Sequence, residues 1–165
     1  DDGVMGGQSE TEQILEEDGA LAFAGTINTN GGGFCSIRTK VNLSENTKGV
    51  KLKLLGDGKT YKFFVTDGTS GGPMAKRPSW QKDVPTKTGE WQDVSIAFSD
   101  LTPNFMGGPP KDAKNYRFES SQMKVLGLML SLKLADGRPN PKETYGEGIF
   151  PFEVKIKSIE ESTTT

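Results

Sequence analysis

Apolar and polar residues alternate with a period of two along most of the chain, which is typical of β-strands with one buried face. The clearest example runs from Leu126 to Leu134, where five leucines occupy alternate positions. The same alternation predicts six further strands, at Leu21–Ile27, Cys35–Leu43, Val50–Leu54, Tyr61–Val65, Val94–Phe98 and Phe152–Ile156. A weaker eighth strand is predicted around Gln13–Glu16. No convincing 3.6-residue apolar period extends over eight residues or more, so we expect no long amphipathic helix.

About eight short strands in a chain of 165 residues predict a single all-β domain, spanning residues 1–165, in which two sheets pack face to face. The 21 glycines and nine prolines are typical of strands joined by tight turns. The pair Asp57-Gly58 predicts a hairpin turn, because glycine readily adopts the positive φ that such a turn needs.

Three long segments without clear alternation, Asp67–Thr88, Leu101–Gln122 and Ala135–Gly148, contain eight of the nine prolines. Loops of this length in a compact domain are usually functional or disordered, and proline restricts their shapes, which favours the first alternative. We predict that the first two form a partner-binding surface, with apolar anchors and basic residues that steer an acidic partner. The residues predicted to make this contact are Trp80, Phe105, Met106, Arg77 and Lys82. Trp91, which opens a strand, is expected to pack in the core or to anchor a loop instead.

The composition excludes most catalytic and metal chemistry. The chain has no histidine and a single cysteine, Cys35, so histidine-based triads, His-ligated metal sites, Cys-x-x-Cys zinc or redox sites and intrachain disulfides are ruled out. Asp1, Asp2 and Asp57 do not form the spaced loop that calcium sites of the EF-hand type use. A net charge of −2 gives no general attraction to nucleic acid. We therefore expect no enzyme activity, no metal, no cofactor and no nucleic-acid partner.

Two glycine-containing motifs identify a family. The first is Asp-x-Val-Met-Gly-Gly-x-Ser, formed by Asp2, Val4, Met5, Gly6, Gly7 and Ser9. The second follows the second predicted strand, and its matching residues are Asn30, Gly32, Gly33, Phe34, Ser36 and Arg38. Together with weaker matches at Trp91–Ser99 and Gly127–Ser131, they resemble the complex I intermediate-associated protein family, and the resemblance covers nearly the whole chain.

The resemblance implies a galactose-binding-like jelly roll and a non-enzymatic role. Mitochondrial members help to assemble respiratory complex I, and related domains in photosynthetic lineages serve photosystem biogenesis. The block Asp136–Pro141 is more similar to the photosynthetic versions, which slightly favours a plastid, thylakoid-associated location over a mitochondrial one. We therefore expect an assembly factor or accessory subunit of a membrane-embedded electron-transfer complex, peripheral to the membrane. The alternative on the same fold is a carbohydrate-binding module, which an exposed aromatic platform would favour; we expect no tight sugar binding.

The resemblance also leaves an architectural question open. Family members usually carry a strand with a Trp before the first Asp of the motif, and this sequence lacks it, so one sandwich edge is expected to be open or filled by a partner. We expect Arg38 to pair with Asp1 or Asp2 and so pin the N-terminal motif to a strand. The glycine motifs then act as a structural clasp, although direct contact with a partner is the other interpretation.

Overall fold

The computed structural model describes residues 10–15, 20–28, 35–68, 77–105, 116–141, 145–146 and 148–163. These residues form ten strands, joined by turns and two 3-10 turns at Phe98–Asp100 and Ser120–Gln122. The strands are β1 Glu10–Leu15, β2 Leu21–Asn28, β3 Cys35–Lys40, β4 Gly49–Leu55, β5 Thr60–Thr66, β6 Ser79–Pro85, β7 Trp91–Ala97, β8 Thr102–Asn104, β9 Val125–Leu130 and β10 Ile149–Ser162. In this part of the chain no helix has the length and apolar character that a membrane crossing requires.

Two antiparallel sheets of five strands each make up the fold. The first sheet has the order β1-β2-β10-β4-β7, and the second has the order β3-β9-β5-β6-β8. Neighbouring strands in each sheet are mostly distant in sequence, so the pairing is dominated by long-range contacts. The all-β, two-sheet sandwich predicted from the alternation is confirmed.

The core lies between the inner faces of the two sheets. In the second sheet, the alternating residues Leu126, Leu128 and Leu130 of β9 are buried beside the inner side of β5. In the first sheet, Phe23 and Phe152 pack edge to face across β2 and β10, with ring centroids 5.0 Å apart. Such a pair adds about 0.5–1.5 kcal/mol to the stabilisation from burial alone.

The turn predicted at Asp57-Gly58 is present, but the hairpin prediction is wrong, because β4 and β5 do not pair and the turn carries the chain from the first sheet to the second. An aspartate organises this turn. Gly58 has a φ of 91°, which side-chain-bearing residues rarely adopt. Asp57 Oδ2 accepts hydrogen bonds from Tyr61 Oη at 3.1 Å and from the backbone N of Glu153 at 2.9 Å. Burial, followed by the charge of Asp57 and its hydrogen bond, raises the pKa of Tyr61 far above its usual value. Asp57 therefore ties the turn to β10.

The structure corrects the sequence prediction in three further places. The weak strand begins earlier than predicted, at Glu10. Two strands, β6 and β8, lie inside segments predicted to be irregular. Lys82 interrupts the apolar alternation of β6, and Pro103 occupies β8, which is an edge strand where proline is tolerated. Finally, β9 ends at Leu130, and Leu132 is exposed instead of continuing the buried stripe.

Candidate partner-binding surface

Trp80 was predicted to be an exposed anchor, and this prediction is wrong. The residue lies in β6 with its side chain on the inner face, and only 6% of it is exposed. Its indole packs edge to face on Phe118, with centroids 5.5 Å apart, and Phe118 also contacts Phe98 at 4.7 Å. A side chain enclosed in this way stabilises the fold and offers little surface to a partner.

The two predicted loops nevertheless come together. The pairing of β6 with β8 joins them, with Ser79 opposite Asn104. Next to this ladder, Arg77 Nη1 donates to Asp67 Oδ2 at 3.0 Å and to Gln122 Oε1 at 3.3 Å. Arg77 therefore connects the beginning of the first loop with the end of the second, while its own side chain remains largely exposed.

The other predicted contact residues have mixed positions. Phe105 is half-buried, and its ring packs edge to face on Tyr116 at 5.5 Å. Lys82 is half-buried within β6, on the same face as Trp80, so it belongs to a strand and not to a loop. Met106 lies outside the described residues. The described part of the surface thus consists of Arg77, Phe105 and Tyr116, which we call the joined-loop surface.

Of the family motifs, the structure describes Ser36 and Arg38, both on the edge strand β3. The guanidinium carbon of Arg38 lies 5.1 Å from the centroid of the Phe64 ring, on the outer face of the second sheet. Gly127 separates the two residues across the sheet, and a Cβ there would collide with the carbonyl oxygen of Ile37. The absent side chain at Gly127 lets the Phe64 ring lie close to the backbone, within reach of Arg38.

The remaining motif positions, and the predicted partners of Arg38, lie outside the described residues. They are Asp1, Asp2, Val4, Met5, Gly6, Gly7, Ser9, Asn30, Gly32, Gly33 and Phe34. The clasp between Arg38 and the N-terminal aspartates therefore stays a prediction.

The sequence analysis missed a buried polar row on the outer face of the second sheet. Lys62, Gln81 and Asn104 alternate with core residues, which predicts exposure, yet all three are buried. Burial lowers the pKa of Lys62, a nearby Asp83 opposes this shift, and Lys133 adds to it. Gln81 Oε1 has no hydrogen-bond partner. We see no signal in the sequence that would have revealed this row.

A turn at residues 133–139 covers part of this face. The backbone N of Ala135 donates to Asp83 Oδ1 at 2.8 Å, and Asn104 Nδ2 donates to the carbonyl oxygen of Ala135 at 2.9 Å. Lys133 and Pro139 form an isolated β-bridge that closes the turn. These bonds satisfy buried polar groups and fix the turn on the sheet.

Trp91 is more exposed than the sequence predicts, whereas Trp80 is less exposed. Trp91 was expected to pack in the core or to anchor a loop, but it is 41% exposed at the edge strand β7 of the first sheet. Lys157 Nζ lies 5.8 Å from the centroid of its ring. Among the other aromatics of the described residues, Tyr61, Phe64 and Tyr145 are buried, and Phe105, Tyr116 and Phe150 are half-buried. The described residues therefore contain no row of exposed aromatic side chains.

The described residues also contain no cluster of three or more metal-ligating His, Cys, Asp or Glu side chains. Cys35, the single cysteine, is fully buried in the core. The joined-loop surface is a candidate for contact with another molecule because it presents arginine and aromatic side chains, and these residue types dominate binding energy at protein interfaces.

Two solved structures share the fold. One is the Family 11 carbohydrate-binding module from Clostridium thermocellum in complex with a β-1,3-1,4-mixed-linked tetrasaccharide; its TM-score is 0.59 at 11% identity, and the match covers 93% of this chain and 82% of that one. The other, from a cellulosomal cellulase of the same organism, has a TM-score of 0.59 at 10% identity, covering 93% and 81%. Such low identity shows the jelly-roll fold alone.

Sequence comparison is more specific. An uncharacterized protein of Schizosaccharomyces pombe is 32% identical over 130 residues, which cover 68% of this chain. The chain spans 59% of the length of that curated relative. The family model of Complex I intermediate-associated protein 30 matches residues 1–156. Because this match extends over nearly the whole chain and the sandwich agrees with it, the chain belongs to the Complex I intermediate-associated protein 30 family.

Proposed function

We propose that this protein is a non-enzymatic assembly or accessory factor for respiratory complex I, and that it acts through protein–protein contacts. The observation that carries the proposal is the family match over residues 1–156. The family description refers to complex I and not to a photosystem, so it supports a mitochondrial location over the plastid that Asp136–Pro141 suggested. In this proposal the protein is peripheral to the membrane.

We further propose that the joined-loop surface contacts a subunit of that complex. Arg77 is exposed and is held by Asp67 and Gln122, so little side-chain entropy is lost when it engages a partner. Phe105 is half-exposed beside Tyr116, which is a suitable arrangement for an aromatic anchor. Met106, Lys82 and the glycine motifs at residues 2–9 and 30–38 remain candidates for the same or a second contact.

Carbohydrate binding is the second candidate, because the solved structures with the same fold are carbohydrate-binding modules. Sugar platforms require exposed aromatic faces, and the described residues offer Trp91 alone as an exposed large aromatic. Calorimetric titration with a β-1,3-1,4-linked tetrasaccharide distinguishes the two functions. A dissociation constant near 1 μM, or about −8 kcal/mol, would favour the sugar function over the assembly function.

The protein-contact proposal is tested by purifying the tagged protein from solubilised mitochondrial membranes and quantifying complex I subunits that accompany it. We expect Arg77→Glu to reduce their recovery, while Arg138→Glu does not. Arg138 is a matched control because it is also an exposed arginine paired with an aspartate, Asp136. Equal recovery with both variants would exclude Arg77 from the interface.

Phe105→Ala tests the aromatic anchor in the same assay. If Phe105 is an anchor, its truncation weakens association by about 2 kcal/mol or more. Phe150→Ala is the control, because Phe150 is also half-buried and packs edge to face on a tyrosine, Tyr145, at 5.0 Å. A comparable loss with both variants would indicate general destabilisation and would contradict a specific contact at Phe105.

A further inference from the structure

Residues 131–140, which we call the cover turn, form a self-contained unit over the outer face of the second sheet. The backbone N of Leu134 donates to the carbonyl oxygen of Arg138 at 2.8 Å. Nearer the ends of the turn, the backbone N of Asn140 donates to the carbonyl oxygen of Leu132 at 2.7 Å. Because these bonds are internal, they do not depend on contact with the sheet, and the turn can keep its shape when it moves.

One residue attaches the tip of the cover turn to the sheet. The backbone N of Ala135 donates to Asp83 Oδ1 at 2.8 Å, and its carbonyl oxygen accepts from Asn104 Nδ2 at 2.9 Å. At the base of the turn, Asn140 Nδ2 donates to the carbonyl oxygen of Thr60 at 3.1 Å. The cover turn is therefore anchored at its base by Asn140 and latched at its tip by the backbone of Ala135.

Little apolar burial holds the cover turn closed. The structure describes the whole of this segment, and its buried residues are Ala135 and Asn140, a small side chain and a polar one. Leu132, a large apolar residue of the turn, is 40% exposed. Segments with few buried apolar contacts have low local stability and open without unfolding of the whole domain. Release of the two bonds at Ala135 should therefore be enough to open the turn.

The groups beside the latch favour opening. Lys62 lies opposite Asp83 in the strand register and is 4% exposed, yet no hydrogen bond or ion pair joins it to another described residue. Gln81 Oε1 is also buried and has no partner in the described part of the chain. Buried polar groups without partners cost free energy, which solvation returns. Once Ala135 leaves the carboxylate of Asp83, that carboxylate can also pair with the Lys62 ammonium.

We propose that the cover turn is a lid, which opens at the Ala135 latch while Asn140 holds its base. The lid thereby controls access to the buried polar row of Lys62, Gln81 and Asn104. The structure holds the closed state, and the open state is a minor population of about 0.1–10%. The lid does not depend on the proposed function, because it follows from the bonds of this segment alone.

The proposal is tested by residue-resolved amide hydrogen exchange of the purified chain, followed by NMR. A minor open state of this size should protect the Ala135 amide by about 10- to 1,000-fold relative to an unstructured peptide. The amide of Leu128, whose strand β9 is paired on both sides, should exchange far more slowly. Asp83→Ala removes the acceptor of the latch and should accelerate exchange at Ala135 by at least about 10-fold, more than at Leu128.

Lys62→Met separates a lid from a turn that Lys62 simply supports. Because the variant removes the unpaired cation from the closed state, it should slow exchange at Ala135 by at least about 3-fold. A supporting side chain would give no change or faster exchange when replaced. Lys51→Met is the control, since Lys51 is an exposed lysine of β4 in the first sheet, and it should leave exchange at Ala135 unchanged. If Lys62→Met does not fold, Gln81→Met removes the other unpaired group and should also slow exchange.

Any of three results would exclude the lid. Equal exchange rates at Ala135 and Leu128 would show that the cover turn opens only with the whole domain. Exchange at Ala135 as fast as in an unstructured peptide would show that the latch is not formed. Unchanged or faster exchange at Ala135 in Lys62→Met, or in Gln81→Met where that variant replaces it, would show that the unpaired groups do not favour opening.

Discussion

The two tryptophans provide a sharp test of the fold, because the structure exchanges the environments that the sequence predicts for them. Trp80 is 6% exposed and packs on Phe118, whereas Trp91 is 41% exposed at an edge strand. Truncation of a buried aromatic to alanine typically costs about 3–5 kcal/mol. For a domain of this size each kcal/mol lowers the unfolding midpoint by about 2–4 °C, so Trp80→Ala should lower it by about 6–20 °C. Trp91→Ala should lower it by less than about 4 °C, since substitutions at exposed positions rarely exceed 1 kcal/mol.

The assay is thermal unfolding followed by circular dichroism, combined with tryptophan fluorescence of the same two variants. The Trp91→Ala protein retains the buried indole and should resist quenching by acrylamide; the Trp80→Ala protein should be quenched readily. If Trp80→Ala is too unstable to purify, Trp80→Phe should show a smaller decrease in the same direction. Equal midpoints for the two alanine variants, or an easily quenched Trp80, would refute the assignment of Trp80 to the core.

Three further substitutions test individual contacts. Gly127→Ala should destabilise the domain by about 1–3 kcal/mol, because the added Cβ meets backbone and lies 2.9 Å from Phe64 Cζ; an unchanged unfolding midpoint would contradict this close packing. Lys62→Met should be neutral or stabilising at pH 7, because burial lowers the pKa of the ammonium. Between the lowered pKa and 10.5 the folded state of the wild type holds fewer protons than the unfolded state, so the free-energy cost of the buried ammonium is full below the lowered pKa and disappears as the pH rises toward 10.5. The unfolding free energies of the wild type and of Lys62→Met, measured over a pH series, should therefore converge as the pH rises. A difference that stays constant with pH would exclude the buried charge as its cause. Asp57→Asn should cost about 1–2 kcal/mol in denaturant unfolding, since the charged acceptor for Tyr61 is lost; no change would show that the turn does not need the carboxylate.

The sequence predicted the inner faces of the sandwich well, because burial of one face imposes a period of two that survives in the residue pattern. The leucines of β9 and the strands around Phe23 and Phe63 lie where the alternation places them. The alternation did not predict β6, because Lys82 occupies an inner-face position between Trp80 and Val84 and breaks the pattern. A single long polar side chain that reaches solvent from an inner position is enough to hide a strand.

The candidate sites were less predictable for a different reason. Burial of Lys62 and Gln81 on an outer face depends on which distant segments fold over that face, and a local pattern carries no such information. The contact of Arg77 with Gln122 likewise joins residues that are 45 apart along the chain, and it depends on the strand pairing of the second sheet. The prediction that the two loops act together therefore rested on their composition, whereas the structure supplies the contact between them.

The central claim, that this protein supports complex I assembly through the joined-loop surface, is tested most directly by complementation. Cells that lack the protein should contain less fully assembled complex I on native gels of mitochondrial membranes. We predict that the wild type and Arg138→Glu restore the assembled complex, while Arg77→Glu accumulates to the same level in the cell and does not. A normal amount of assembled complex I in the cells without the protein would contradict the account.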